Sequence, residues 1–573
     1  ILSGLVGSEM CIRDRDMGAK NMEDFARFMP GLNVVAGVTD STVVFRGAIT
    51  GAGYIAASTS SVYLDELPLT TTGSQPNVRL VDIARVEALA GPQGTLYGSS
   101  DVGSFTELVS NLSWYWKLVI PTVGGLIVGL ILHFYTVDGR AKSVADVIQD
   151  SALNNGKIDK RGGIASAMAS LITLSSGGSS GREGPVVHVA AVISDWICEH
   201  VRVDSVTSRD LLGCAVAGAV SASFNAPIAG ALFALEVILR HFAIHSFAPI
   251  VIASVTGTVI NRLTFGDVTE FILPTENTLG FYIELPAFIL LGLSSGLIAV
   301  VLMKSLFWGE DIGNSIQDLT GMKRWLRPAL AGILLGGLAI WFPHIVGVGY
   351  ETISSALTGQ ILLHEAIVFA ILKVLAVSIT MGGRMGGGVF SPSLMIGALT
   401  GLAFGWIATS IFPTFSGAQT LYALAGMGAV SAAVLGAPIS TTLIVFELTG
   451  DWQTGLAVMV AVSFSIVISS KLVHQSFFLT QIERRGIHLA AGPQAYLLST
   501  LRVVDFLKVL EISKPTDIDI AKEMIDEGNY LLLDATLEDA MPIFEKINCT
   551  FIPIVETKSS DEVSELKLSL IHI

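Results

Sequence analysis

Two textures of hydrophobic patterning divide the chain. From about Asp16 to Ser104, short β-type runs such as Thr42-Val43-Val44-Phe45 and Ser61-Val62-Tyr63-Leu64 alternate with Gly, Thr and Ser loops, the pattern of a small α+β fragment. The texture changes sharply near Phe105. From Trp114 the chain is apolar over long stretches: Val119–Phe134 reads as a spanning or re-entrant helix, and Phe247–Ile260, Tyr282–Val301, Pro328–Trp341 and Leu456–Ser470 are the longer candidate segments. Many other apolar runs fall short of the roughly 20 residues that a helix needs to cross a bilayer. Several are interrupted by Gly or Pro, so the pattern predicts broken and re-entrant helices. After Gly486 the chain turns polar again, and Ile518–Lys522, Thr536–Ala540 and Phe551–Val555 read as helix followed by strand.

Composition strengthens the membrane reading. Of 573 residues, 51% are hydrophobic and 14% charged, with a mean hydropathy of +0.64. A soluble protein carries about 25% charged residues, so most of this chain belongs in a bilayer. The 58 glycines suit close helix packing. The formal charge of −15 argues against a nucleic-acid partner. It says little about a transported ion, because the acids cluster toward the two ends. Cys11, Cys198, Cys214 and Cys549 have no metal or redox spacing. The few polar residues form no catalytic triad, P-loop or metal-ligand cluster, so neither an enzyme nor a bound metal or cofactor is expected. Ile1–Asp16 lacks the basic start and long apolar core of a secretory signal.

One pentapeptide stands out against that background: Gly181-Arg182-Glu183-Gly184-Pro185, a charged pair between Gly- and Ala-rich apolar segments. Ionisable residues inside a membrane are costly and default to a functional role. Its glycines let backbone N–H groups approach a ligand, and Pro185 suits the first turn of a helix. The positive end of that helix would face the place where the carboxylate sits, so an anion and Glu183 would compete for one position. The bland alternative is a helix-capping glutamate in a loop. An internal echo adds weight. Ala219-Val220-Ser221-Ala222 leads to Asn225-Ala226-Pro227-Ile228 and ends at Glu236; Ala429-Val430-Ser431-Ala432 leads to Gly436-Ala437-Pro438-Ile439 and ends at Glu447. A Gly-rich turn with a proline lies upstream of each, at Gly184-Pro185 and at Gly388-Val389-Phe390-Ser391-Pro392. Two such halves point to a repeat-built transporter with its site at the repeat interface.

At these residues the chain resembles the ClC chloride channel and proton/chloride antiporter family, over about Leu108–Gly486. The resemblance rests on Gly181–Pro185, Phe224–Glu236, Gly387–Leu394 and Gly436-Ala437-Pro438. It implies an all-α membrane protein with an inverted repeat of broken and re-entrant helices. It also implies a homodimer with one pore per subunit, in a cell's inner (plasma) membrane, and an anion site where helix N-termini converge. Glu183 matches the family's gating glutamate, and Gly388, Val389 and Phe390 match its central anion site, with Gly181, Arg182, Gly184 and Pro185 flanking the gate. Three departures stand out. Lys142 falls at the position of the family's pore serine. The tyrosine at the inner side of the site falls at Phe478, which has no hydroxyl to offer an anion. Glu236 matches a family glutamate and is the remaining proton-path candidate, but the neighbouring position, where antiporters keep their inner proton-transfer acid, is Val237. That last departure favours a passive chloride path over proton coupling. His188 is expected to be a packed helix histidine, and Glu447 and Asp451 to be structural or solvated.

The flanks carry two further resemblances. Asn21–Phe25, Pro30-Gly31-Leu32, Phe45-Arg46-Gly47, Val62–Asp65 and above all Val86–Gly98 resemble the plug domain of TonB-dependent outer-membrane receptors. The tail resembles the opening of a CBS domain, a nucleotide-binding regulatory module, cut short. Ile1–Arg15 and Leu568–Ile573 look like translated adaptor sequence. The expected organisation is therefore 1–15 adaptor-like, 16–104 plug-like, 105–486 pore, 487–567 partial CBS-like and 568–573 adaptor-like, with the pore lacking the family's first helices. An outer-membrane plug and a helical inner-membrane body need incompatible targeting, which predicts that their junction is an assembly chimera. Long-read sequencing across the codons for Ser100–Leu112 tests this, and a single uninterrupted native gene there would refute it.

Overall fold

The computed structural model describes residues 105–154, 156–265, 284–413 and 416–487, with 10–12, 32–36, 41–45, 63–64, 67–68 and 86–88 before them and 501–506, 508–509, 515–532, 535–547, 551–555 and 569–572 after. The chain divides into two units, Ile1–Ser113 with Arg262–Val268, and Trp114–Asn261 with Thr269–Ile573.

The first unit holds strands β1 (Met10–Ile12), β2 (Leu32–Ala36), β3 (Ser41–Phe45), β4 (Tyr63–Leu64), β5 (Leu67–Pro68) and β6 (Val86–Ala88), followed by helix α1 (Phe105–Asn111). They pair antiparallel as β1 with β6, β2 with β3, and β4 with β5. The β-type run ending at Phe45 is β3. Asn21–Phe25 and most of Val86–Gly98 lie outside the described residues.

The second unit is helical in its body. Its first half comprises α2 (Trp114–Tyr135), α3 (Val144–Leu153), α4 (Lys160–Ser175), α5 (Glu183–Val201), α6 (Ser205–Phe224), α7 (Pro227–Phe233, extended by a π-helical turn Ala234–Leu239) and α8 (Ile244–Phe265) up to Asn261. The second comprises α9 (Leu285–Thr320), α10 (Arg327–Trp341), α11 (Tyr350–Leu357), α12 (Leu363–Gly382), α13 (Phe390–Ile411), α14 (Gln419–Leu435), α15 (Pro438–Thr449), α16 (Trp452–Leu472) and α17 (Phe477–Glu483). Among the described residues six helices are long and apolar enough to cross a bilayer: α2, α8, α9, α12, α13 and α16, the last continuing into α17. Their outward faces carry exposed Ile127, Leu263, Leu290, Val301 and Ile371, side chains that lipid accommodates and water does not. The expected segment Pro328–Trp341 is α10, at 15 residues too short to span.

Small residues decide how closely these helices approach. A Cβ at Gly125 of α2 would overlap the Pro328 carbonyl of α10, and one at Gly332 of α10 would overlap the Pro121 carbonyl of α2. Gly397 and Gly401 of α13 lie just as close to Gly426 and Tyr422 of α14. Every residue of α14 from Leu421 to Leu435 is buried, as an all-round apolar helix requires.

The internal echo has a structural counterpart. α6 and α14 end at left-handed residues, Asn225 (φ 55°) and Gly436 (φ 70°), and α7 and α15 then start with Pro227 and Pro438 at the helix position that lacks a need for an N–H. Glu236 and Glu447 follow those prolines at equal spacing, and each reaches across to the other half. Glu447 accepts the N–H groups of Ile228 and Ala229, both at 2.8 Å. Glu236 accepts those of Ile439 (3.0 Å) and Ser440 (2.8 Å) and the Ser440 hydroxyl (2.7 Å). This exchange of helix caps is what a pseudo-two-fold relation between halves produces.

The tail forms a four-stranded sheet of β7 (Lys508–Val509), β8 (Leu531–Leu532), β9 (Phe551–Val555) and β10 (Ser569–His572), in the order β7-β10-β9-β8, with α18 (Pro515–Asp526) and α19 (Leu537–Ile547). Val503, Leu531, Ala540, Ile552 and Ile554 are its core. Ser569–His572 and Met10–Ile12 fall in the adaptor-like segments, yet both supply strands. Ladder pairing draws on the backbone, which a short alternating segment offers whatever its side chains.

Candidate anion site

The two glycine-rich turns, one from each half, are bonded to one another. The Gly181 N–H donates to the Gly388 carbonyl at 2.7 Å, and the Gly388 N–H returns the bond to Gly181 at 2.8 Å. α5 begins at Glu183 and α13 at Phe390, so two helix N-termini leave from this bridge. The first N–H groups of any helix lack intrahelical acceptors and carry a partial positive charge. Glycine is required where the turns touch: a Cβ at Gly387 (φ 136°) would overlap the Ser180 side chain, and one at Gly184 would sit 3.1 Å from the Gly388 Cα.

Glu183 is 5% exposed. Its Oε1 accepts a hydrogen bond from the Tyr350 hydroxyl at 2.6 Å and another from the Ser391 hydroxyl. Ser391 belongs to the first turn of α13, so the carboxylate occupies the N-terminal end of that helix. Oε2 has no hydrogen-bond partner among the described residues. An ideal Cβ on Gly181 would lie 2.5 Å from Oε2 and 3.1 Å from the Ser391 nitrogen, which makes that glycine the space into which the carboxylate fits. The Arg182 guanidinium stacks 5.0 Å from the Tyr350 ring centroid and reaches toward the Ser223 carbonyl.

A narrow cavity adjoins Glu183. Gly184, Val187, Gly387, Gly388, Val389 and Phe390 line it, together with Ser143, Val144, Val220, Phe224, Phe233, Met381, Phe477 and Phe478. Apart from Ser143 and Glu183 the lining side chains are apolar, a setting in which fixed dipoles act on an ion with little screening. Phe390 packs its ring against Phe224 at 4.9 Å between centroids. Of the residues expected from the sequence, Glu183, Gly184, Gly388, Val389, Phe390 and Phe478 meet at this cavity, and Gly181 braces it. Arg182, Pro185 and Lys142 do not line it. Lys142 is a correction: its ammonium pairs with Asp159 at 2.9 Å, because Asp159 is the N-cap of α4 beside it, and the next residue, Ser143, faces the cavity instead.

Ser143 is held there by Asp146, which accepts its N–H at 2.7 Å and also binds Arg140 and Arg485, both at 2.9 Å. Burial alone would raise the Asp146 carboxyl, but the two guanidiniums and the Ser143 N–H keep it below its ordinary value. Arg485 follows α17, so this cluster ties the serine turn to the helix carrying Phe477 and Phe478. Glu236 is placed on α15 by the bonds given above. His188 is fully buried, close against Gly163 of α4, and neither ring nitrogen has a partner among the described residues. Asp451 caps α16 through the Gln453 and Thr454 N–H groups, the structural place expected of it. Sequence reasoning missed Tyr350 and Ser391 as partners of Glu183, and Ser143 as a cavity residue.

Comparisons with known proteins give the chain its family. A family model described as "Voltage gated chloride channel" matches residues 124–470, and a "TonB-dependent Receptor Plug Domain" model matches residues 12–104. A "Putative chloride channel protein ClcB-like" from Ralstonia nicotianae is 31% identical over 386 residues, covering 67% of this chain and 88% of the relative. A "Voltage-gated ClC-type chloride channel ClcB" from Escherichia coli (strain SMS-3-5 / SECEC) is 29% identical over 392 residues, covering 67% and 91%. Among solved structures, that of a slow cyanobacterial Cl-/H+ antiporter aligns with a TM-score of 0.61 at 20% identity, over 67% of this chain and 92% of the other. A eukaryotic CLC transporter aligns with a TM-score of 0.58 at 17% identity, over 82% and 92%. The family match spans more than half of the chain, and with the bridged turns and buried acid it leads to one conclusion: this chain belongs to the voltage gated chloride channel family.

Proposed function

We propose that the helical body conducts chloride or a closely related anion across a bilayer, with Glu183 as a protonatable gate. The observation that carries this reading is the buried Glu183 carboxylate on the first turn of α13, beside the Gly181–Gly388 bridge. There it takes the place that a dehydrated anion would take. Protonation removes its charge and its claim on the positive helix end, and the anion replaces it. Val389 and Phe390 supply backbone N–H groups to the anion, Gly184 and Gly388 let it approach, and Ser143 and Phe478 form the inner end. The ClcB relatives, named as chloride channels, support chloride as the ion. A homodimer in an inner membrane and a partial CBS-like tail, whose helices and strands alternate as such a module requires, complete the proposal.

Passive conduction is the favoured mode. Val237 is buried and carries no proton, and Glu236 spends both oxygens on α15. Proton-coupled antiport is the second reading, favoured by the antiporter among the structures of like fold. Reversal potentials of the protein in proteoliposomes under opposed pH and chloride gradients separate the two. A passive path gives a potential set by chloride alone; a fixed proton-to-chloride stoichiometry would overturn it in favour of antiport.

A further inference from the structure

Lys373 of α12 is fully buried, and the ion pairs among the described residues give it no acidic partner. Its ammonium donates instead to the main-chain carbonyls of Ile345, at 3.1 Å, and Gly347, at 2.9 Å. A buried cation is costly unless its donors are committed, so this one marks a place where the backbone must be held. The carbonyl of Ile345 also accepts the Ser179 hydroxyl at 2.9 Å, and the Ser179 N–H donates to Thr380, further along α12, at 3.2 Å. One helix thus grips two segments: the turn at 179–181 that leads into Glu183, and the turn at 345–349 that leads into Tyr350. The second turn is shaped around the ammonium. Gly349 (φ 91°) would bring a Cβ to 3.4 Å from the Lys373 nitrogen and into the Met395 side chain.

We propose that Lys373 is a positioning residue for the gate: its ammonium fixes the turn that presents the Tyr350 hydroxyl to Glu183, and so sets how firmly the carboxylate is held shut. This rests on the reading of Glu183 as the gate. A hydroxyl donated to a carboxylate favours the charged form. Loosening Tyr350 therefore lets the proton win at higher pH, and flux turns on at higher pH. The charged and titratable groups around Glu183 are few. Tyr350 faces it from α11, with Arg182 of its own turn over the Tyr350 ring. α13 has no charged residue. On the elements packed against α5, Asp146 of α3 is engaged with Arg140 and Arg485 and Asp150 follows it on α3, Lys160 and Arg161 begin α4, Arg209, Asp210 and Cys214 lie on α6, and His188, Asp195, Glu199 and His200 lie further along α5 itself.

The test is the pH profile of chloride efflux from proteoliposomes holding the full chain. Tyr350→Phe and Lys373→Met are each expected to move the midpoint of activation upward by about one pH unit, a tenfold change in proton affinity. The double variant is expected to move it no further than the larger single shift, because both act through one hydroxyl. A Lys373→Met midpoint equal to that of the unmodified chain, or a double shift equal to the sum, overturns the proposal. Glu183→Gln, which cannot titrate, separates this from failure of the gate reading: if its profile is flat, the gate stands and the Lys373 result is judged alone; if its profile matches the unmodified chain, the gate reading fails and takes the proposal with it. Should Lys373→Met not reach the membrane, Ser179→Ala removes the other donor to the Ile345 carbonyl. An upward shift there supports the proposal and an unmoved midpoint overturns it.

Discussion

Chloride efflux through the Glu183→Ala variant is expected to be open and nearly independent of pH. On the proposed reading the Glu183 carboxylate of the unmodified chain, held by the Tyr350 and Ser391 hydroxyls, sits where the anion passes. The path then opens only when a proton takes the carboxylate's charge away from those bonds and from the N-terminus of α13. On the alkaline side of its midpoint, the protonated fraction falls about tenfold per pH unit, and efflux is expected to follow it. Alanine removes the occupant without disturbing the backbone N–H groups that would bind the anion, since the bridge between Gly181 and Gly388 is made by main chain alone. The variant is therefore expected to exceed the unmodified chain by about tenfold for each pH unit above the midpoint and to match it well below. Efflux measured as a function of pH in liposomes decides the matter. A variant whose pH response matches that of the unmodified chain would remove Glu183 from the gate.

The parts of this site that could be read in the sequence are those written by Gly and Pro. Gly181, Gly184, Gly387 and Gly388 are demanded by close backbone approach, and Pro227 and Pro438 mark helix starts; both constraints act locally, so they leave a local pattern. The repeat was legible for the same reason. Contacts made across the fold left no such trace. Tyr350 and Glu183 are 167 positions apart, and a tyrosine at the start of a short helix looks like any other until α11 is set beside α5. Ser391 was visible only as part of a glycine-rich turn. Ser143 and Lys142 differ by one step along a turn, and the choice between them was made by Asp159, which captures the lysine. α12 was passed over as a span because Lys373 and two acidic or basic neighbours near its start dilute its apolar run, although the ammonium is satisfied by carbonyls. α9, at 36 residues, outruns the segment read as Tyr282–Val301 because its second part turns polar while the helix continues.

Glu236 is where a structural and a proton-carrying role predict opposite results. Its carboxylate receives two N–H groups and a hydroxyl from the first turn of α15, and Glu447 does the equivalent for α7. Hydrogen bonds to a charged acceptor contribute about 1.5–3 kcal/mol each when buried. Glu236 is only partly buried, so Glu236→Ala is expected to cost about 3 kcal/mol in total, with Glu447→Ala close behind. Glu236→Gln keeps one acceptor oxygen but turns the other position into a donor facing N–H groups, so it is expected to lose much of the same stability. Thermal inactivation of the solubilised protein, followed by residual chloride efflux after reconstitution, reads this directly. A structural cap lowers the inactivation temperature in both variants while leaving the pH dependence of the surviving efflux unchanged. A proton-path residue does the reverse: stability holds, and any coupling of proton movement to chloride disappears with the titratable group. Unchanged inactivation temperatures in both variants would end the capping account, and with it the argument that the two halves lock one another through exchanged helix ends.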